Sequence, residues 1–178
     1  MTRIVAGTHR GRRLDVPTGS GTRPTADRAR EGMFSSLQSL LDLDGARVLD
    51  LYAGSGALGL EALSRGAATA TLVESDDRAL AVLQRNVDRL GLPARVVGQQ
   101  VEHFLAGPPD PYDLVVLDPP YALDVDPVLA ALPPWLAEDA VVVVERRRRA
   151  PAPAWPPGVV EERSRGYGEA VLWYGSRS

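Results

Sequence analysis

Five apolar runs of strand length, each parted from the next by a segment of helical character, do most to narrow what this chain can fold into. The runs are ARVLDLY (46–52), ATATLVE (68–74), ARVVG (94–98), YDLVVLD (112–118) and AVVVVE (140–145). Between them lie ALGLEALSRG (57–66), SDDRALAVLQRNVDRLG (75–91), a short QVEHFLA (100–106) and DPVLAAL (126–132). The second of these is the clearest helix. Asp76 and Asp77 stand in its first turn, Leu80, Leu83, Val87 and Leu90 share one face, and Gly91 follows its end. Such alternation predicts a mostly parallel sheet covered on both faces. GVVEERS (158–164) and EAVLWYG (169–175) predict an antiparallel closing pair. The expected fold class is therefore α/β: a Rossmann-like, doubly wound sheet of seven strands with an antiparallel C-terminal hairpin.

Ahead of this core, TRIVAGTHRGRRLDV (2–16) reads as a small β-hairpin about a glycine-containing turn, and PTGSGTRP (17–24) as a linker. Thr25 is the expected N-cap of a helix over 26–41, with Met33, Leu37, Leu40 and Leu41 at helical spacing. The expected division is a basic extension over 1–24 and the main domain over 25–178.

What the chain lacks excludes several classes. It has no cysteine and only two histidines, His9 and His103, so disulfides, a cysteine nucleophile and a Cys/His metal centre are not expected. No apolar run approaches the roughly 18 residues of a membrane span, and the N-terminus has no apolar signal segment. A cytoplasmic, metal-free protein is expected. The net charge is −3, yet the first 30 residues hold seven arginines against two aspartates. A basic head on an acidic body suggests a local anionic partner. All twenty basic residues are arginine. Arginine suits bidentate phosphate contact, and a general compositional bias accounts for the same count.

LDLYAGSGALGLEA (49–62) joins a strand to a helix. Gly54, Gly56 and Gly59 fit Gly-x-Gly-x-x-Gly, and Glu74 follows at the spacing, about 20 residues, of an acid that binds ribose hydroxyls. The pattern also suits a dinucleotide. Asp50, just ahead of the loop, argues against that, because it would repel a pyrophosphate and would accept from an ammonium group. S-adenosylmethionine carries both a ribose and an ammonium. A turn-capping Asp50 and a solvated Glu74 are the plainer alternatives.

The fourth run ends in LDPPY, with Asp118, Pro119, Pro120 and Tyr121. Ligands of doubly wound sheets sit outside the carboxyl ends of the strands, which groups Asp50, Glu74 and Asp118. An exocyclic amine on a nucleobase is a poor nucleophile, because its lone pair is delocalised into the ring. Two acceptors on its N–H bonds localise that pair: the Asp118 carboxylate and a backbone carbonyl, that of Pro119. Proline fixes φ and adds no competing donor. Tyr121 offers a stacking face worth about 1–3 kcal/mol per base, for a base that is unpaired or flipped out.

LDLYAGSGALGLEALSRGA with LDPPY resembles class I S-adenosylmethionine-dependent methyltransferases acting on exocyclic amines. RIVAGTHRGRRLDVP and RPTADRAREGMFSSL narrow this. Nearly the whole chain resembles the bacterial methyltransferases that modify N2 of one guanine in 16S ribosomal RNA. The resemblance implies a cofactor site at Asp50, Tyr52, Ala53, Gly54, Ser55, Gly56, Glu74, Gln100 and Val101. It implies an amine site at Asp118, Pro119, Pro120 and Tyr121, and RNA contacts from Arg10, Arg12, Arg13, Arg23, Thr25, Arg28 and Arg30. The implied partner is 16S rRNA within the small subunit or an assembly intermediate. Where such enzymes present Asp or Asn near the adenine, this chain has Gln99 and Gln100. His103 is expected on a helix surface rather than as a base. Trp135 is expected in the core, Trp155 as a surface cap or partner contact, and ERRRRAP (145–151) as a solvated charge run more readily than an RNA contact. Three alternatives stay open: another exocyclic amine (adenine N6, cytosine N4 or protein glutamine), a nicotinamide-dependent oxidoreductase, and a non-catalytic RNA-binding assembly factor.

Overall fold

The computed structural model describes residues 2–19 and 24–178. A seven-stranded sheet is built from β3 (Arg47–Leu51), β4 (Thr69–Glu74), β5 (Ala94–Gly98), β6 (Tyr112–Leu117), β7 (Leu136–Arg147), β8 (Val159–Tyr167) and β9 (Ala170–Arg177). A separate two-residue ladder pairs β1 (Thr2–Arg3) with β2 (Arg13–Leu14). The sheet order is β5-β4-β3-β6-β7-β9-β8, parallel from β5 to β7, with β9 antiparallel to both its neighbours. This is the expected architecture. The chain winds outward from β3 to β5, then returns to β3's other side with β6. That reversal is where an open α/β sheet leaves a crevice at its strand carboxyl ends.

The parallel strands read as unbroken apolar runs because both faces are covered. On one face α1 (Pro24–Leu37), α2 (Ala57–Ser64) and α3 (Asp77–Leu90) bury Phe34, Leu60 and Leu83 against Val48, Val116 and Tyr174. On the other, α4 (Val101–Leu105), α5 (Asp126–Ala130) and a 3-10 turn at Pro133–Trp135 bury Phe104, Leu129 and Trp135 against Leu49, Val115 and Val142. Trp135 is a core residue, tilted against Phe104 with ring centroids 4.8 Å apart. α3 has the termini its sequence calls for. The Asp76 side chain accepts from the Ala79 N–H at 2.9 Å, worth about 1 kcal/mol, and Gly91 closes the helix in the left-handed region at φ 64°.

Two boundaries differ from expectation, and so does the packing of the hairpin. α1 starts at Pro24, so Thr25 lies inside the first turn rather than at the cap. A proline there gives up an N–H that has no helical partner anyway. β7 begins at Leu136, four residues early, through a register shift against β6 and an Asp139 at φ 61°. The hairpin is not an appendage with little core to serve. Ile4 and Leu14 are fully buried in the main core, and the Glu61 carboxylate of α2 accepts the N–H groups of Val5 and Ala6 at 2.8 and 3.1 Å. No helix among the described residues is long and apolar enough to cross a membrane.

Candidate active site

Beyond β3 the backbone turns sharply. Tyr52 is held at φ 63°, uncommon for an aromatic residue and a form of strain that clusters at functional sites. The Ala53 N–H still pairs with the Val73 carbonyl at 2.9 Å, and the Asn86 side chain donates to the Ser55 carbonyl at the same distance. Gly56 then opens α2 at φ 86°, where a β-carbon would also come within 2.5 Å of Leu83. Gly54, at φ 58°, has nothing within 4 Å of where its β-carbon would stand. One glycine is demanded by packing, and the other leaves an open stretch of backbone.

Glu74 closes β4 and reaches back over that stretch. Its carboxylate accepts from Gly54 N–H at 2.8 Å, Ser75 N–H at 3.0 Å and Asp76 N–H at 2.9 Å. A carboxylate has about four lone-pair sites, so this one is fixed in place and still has acceptor capacity.

Two adjoining cavities open at the strand ends, of about 350 and 610 Å³, and they share Tyr52, Glu74, Ser75 and Pro120. The smaller is lined further by Val73, Gln100, Val101, Glu102 and Leu123. The larger is lined by Ala26, Asp76, Asp118, Pro119, Tyr121 and Glu145. Their volumes fall in the range of small-molecule sites. The Tyr52 hydroxyl is buried without a partner among the described residues, and burial raises its pKa. Of the two glutamines, Gln100 lines the crevice, while Gln99 and His103 lie in a different cavity with Phe104 and Trp135.

Asp118 follows the last residue of β6 and is exposed at the crevice. Of the carbonyls after it, that of Pro120 accepts from Leu123 and that of Tyr121 from Arg146, whereas among the described residues none donates to that of Pro119. The next position along the Leu117–Val144 register sets Glu145 beside Asp118. Burial first, then the adjoining Asp118, push the Glu145 carboxyl well above the usual carboxylate range. Glu145 escapes the sequence reading, although it closes the apolar run 140–145 as Glu74 and Asp118 close theirs.

Asp50 requires correction. It is one residue short of the end of β3, 1% exposed, and its Oδ2 accepts the Gly59 N–H of α2 at 3.0 Å. Burial pushes its pKa up to about 8 against the pull of that N–H, and its side chain lines neither cavity. It fastens the loop–helix junction from beneath.

The expected RNA residues do not form one surface. Arg30 is 7% exposed, donates to the Arg3 carbonyl at 2.6 Å and lies 3.9 Å from Glu61, so it is an internal tie. Arg23 and the side chain of Thr25 lie outside the described residues. Arg28 is exposed on α1 and lines neither of the two cavities. Arg10, Arg12 and Arg13 are exposed elsewhere. Thr8 and His9 pair with Ser64 at the end of α2, and Arg12 donates to the Arg89 carbonyl near the end of α3. Helices that follow parallel strands run back beside them, so their C-termini mark the end of the sheet away from the crevice.

The charge run begins within β7, through Arg147, and is partly inside. Arg146 is 8% exposed and donates to the Tyr121 carbonyl at 3.4 Å, while Arg147 lies over the Tyr121 ring.

The family described as conserved hypothetical protein 95 matches residues 2–176. Ribosomal RNA small subunit methyltransferase D of Escherichia coli is 45% identical over 147 residues, 80% of this chain and 73% of that protein. The protein of the same name from Haemophilus influenzae is 36% identical over 157 residues, 84% of this chain and 80% of its own. The solved Escherichia coli protein yhhF aligns over 99% of this chain and 97% of that one, with a TM-score of 0.89 and 37% identity. The 16S rRNA N2 G1207 methyltransferase of Thermus thermophilus, solved with AdoMet and guanosine, has a TM-score of 0.67 over 90% of this chain and 45% of that one. At 20% identity that is a likeness of fold.

Proposed function

The chain belongs to the conserved hypothetical protein 95 family, that of ribosomal RNA small subunit methyltransferase D, and from this premise we propose an S-adenosylmethionine-dependent methyltransferase that modifies the exocyclic N2 of a guanine in 16S rRNA. The observation that carries the reading is the shared crevice: Glu74, from one side of the topological switch, and Asp118, from the other, line one cavity with the proline pair and an aromatic ring. Family membership weighs against the nicotinamide alternative.

The residues present fit the cofactor. The open backbone at Gly54 suits a close-lying ligand, Glu74 retains acceptor capacity for ribose hydroxyls, and Tyr52 leaves a hydroxyl unsatisfied. Val73, Val101 and Gln100 supply an apolar slot with one amide for a base. Ala53, Ser55 and Gly56 shape the loop, and Asp50 holds it from beneath. Bound there, S-adenosylmethionine supplies an electrophilic methyl group on a sulfonium.

The rest is done by Asp118, Pro119, Pro120 and Tyr121. The Asp118 carboxylate and the free Pro119 carbonyl accept the two N–H bonds of the target amine, which draws its lone pair out of the ring and fixes its direction. The two prolines keep that carbonyl from rotating away, and Tyr121, 44% exposed, stacks on the base. Rate enhancement of this kind comes from position and preorganised dipoles. After the methyl group is gained the amine sheds one proton, and the exposed Asp118 is placed to take it and release it to water. Arg146 and Arg147 are basic groups beside Tyr121 at the crevice, and the small ribosomal subunit or its precursor is the substrate.

The test is methylation of 16S rRNA and of small subunits with isotopically labelled S-adenosylmethionine, followed by nucleoside mass spectrometry. Labelled N2-methylguanosine is the expected product. Label on N6-methyladenosine, N4-methylcytidine or a glutamine peptide instead would redirect the assignment.

A further inference from the structure

Glu145 is a titratable group that the mechanism above leaves idle. It lies within β7, one step beyond Val144 in the register with β6 and so beside Asp118, and it lines the same cavity as Pro119 and Tyr121. No arginine forms an ion pair with either carboxyl among the described residues. The two nearest in sequence are turned elsewhere, Arg146 to the Tyr121 carbonyl and Arg147 to the Tyr121 ring. Two adjacent carboxylates without a cation resist ionising together.

We propose that Glu145 is a positioning residue: protonated, it donates a hydrogen bond to Asp118 that fixes that carboxylate's orientation toward the substrate amine and leaves the pair a single negative charge. The proposal rests on the reading of Asp118 as the amine acceptor. An exposed aspartate at the head of a loop has several solvated rotamers, and a bond from a half-buried neighbour selects one of them. The groups facing Glu145 are Asp118 and Tyr121 from β6 and its loop, Tyr52, Glu74 and Asp76 across the cavity, and Arg146 and Arg147 on its own strand. Its β9 partner is Leu172, which is uncharged. Burial first, then the adjacent Asp118, raise the Glu145 carboxyl and favour its protonated form.

The test is kcat and KM for small-subunit methylation across pH 6 to 10, for wild type, Glu145→Gln and Glu145→Ala, with S-adenosylhomocysteine affinity by calorimetry as a check on fold and cofactor site. Wild-type kcat should fall on the alkaline side, where Glu145 loses its proton. The glutamine amide donates at every pH, so Glu145→Gln should keep kcat within about threefold near neutrality and lose the alkaline limb. Glu145→Ala should lower kcat about 10- to 100-fold, with KM and S-adenosylhomocysteine affinity little changed. An active wild type with a glutamine variant as poor as the alanine one, or an alkaline limb that survives in Glu145→Gln, overturns the positioning role alone. A wild type that binds S-adenosylhomocysteine yet methylates no rRNA overturns the functional reading beneath it.

Discussion

The guanidinium carbon of Arg147 lies 4.0 Å from the centre of the Tyr121 ring, and the residue before it donates to the Tyr121 carbonyl. A charge run that reads as solvated thus braces the loop that carries the proposed amine site. A cation over an exposed aromatic ring contributes about 0.5–1 kcal/mol. Arg147→Ala should therefore raise KM for the RNA substrate about two- to fivefold with a smaller change in kcat. Arg147→Lys should fall between, since lysine keeps the charge and loses the planar contact. Steady-state kinetics with saturating cofactor would decide. Unchanged KM in Arg147→Ala would mean that the contact does not prepare the ring for substrate.

Glu74 is the acid whose geometry agrees best with cofactor binding. Its oxygens are fixed by three backbone N–H groups, one of them from the glycine loop. Glu74→Ala should weaken S-adenosylhomocysteine binding by about tenfold or more, the cost of one charge-assisted hydrogen bond. Glu74→Gln, with one acceptor oxygen left, should lose less. Isothermal titration calorimetry measures both, and equal affinity in all three proteins would remove Glu74 from the site.

Asp50 makes a prediction about stability. Its folded pKa lies above the ordinary value of 3.8, at about 8. Between these values the folded protein holds a proton that the unfolded chain has released, so stability falls as pH rises from about 4 to 8. Asp50→Asn keeps an acceptor for Gly59 and cannot ionise. It should flatten this dependence and melt higher than wild type at pH 8. Asp50→Ala orphans the buried N–H and should cost about 1–3 kcal/mol at every pH. Thermal melts of the three proteins at pH 5 and pH 8 would show it.

The sheet and the glycine loop were legible because their signals are local: apolar runs of strand length, helical spacing, and glycines at a turn. The distinction between Asp50 and Glu74 was also present, in the period of two. Asp50 shares a strand face with Val48, which is buried beneath α2, while Glu74 is the terminal residue of β4. Glu145, Arg146 and Arg147 were not legible, because their partners are Asp118 and Tyr121, and only the β6–β7 register joins those segments. Arg30 was misread for the same reason. Its partners, the Arg3 carbonyl and Glu61, lie 27 and 31 positions away. An arginine-rich head looks like an anion grip until the structure shows which of its arginines serve carbonyls and buried carboxylates.

That separation yields a prediction about RNA binding. Arg10, Arg12 and Arg13 stand where α2 and α3 end, and Arg12 already satisfies a helix carbonyl, whereas Arg147 stands at the crevice over Tyr121. Each phosphate contact adds roughly 0.7–0.9 to the slope of log affinity against log salt. Removing Arg147 should weaken binding to 16S rRNA and reduce that slope by about 0.7 to 0.9. Removing Arg10, Arg12 and Arg13 should leave the methylation rate on a short RNA hairpin unchanged, since RNA of that size held at the crevice does not extend round the molecule to the helix ends. Filter binding from 50 to 300 mM salt, alongside single-turnover methylation of the hairpin, compares the two variants directly. If the triple variant loses the greater part of the slope on the hairpin, the hairpin arginines are the principal phosphate grip and RNA binds across both ends of the sheet.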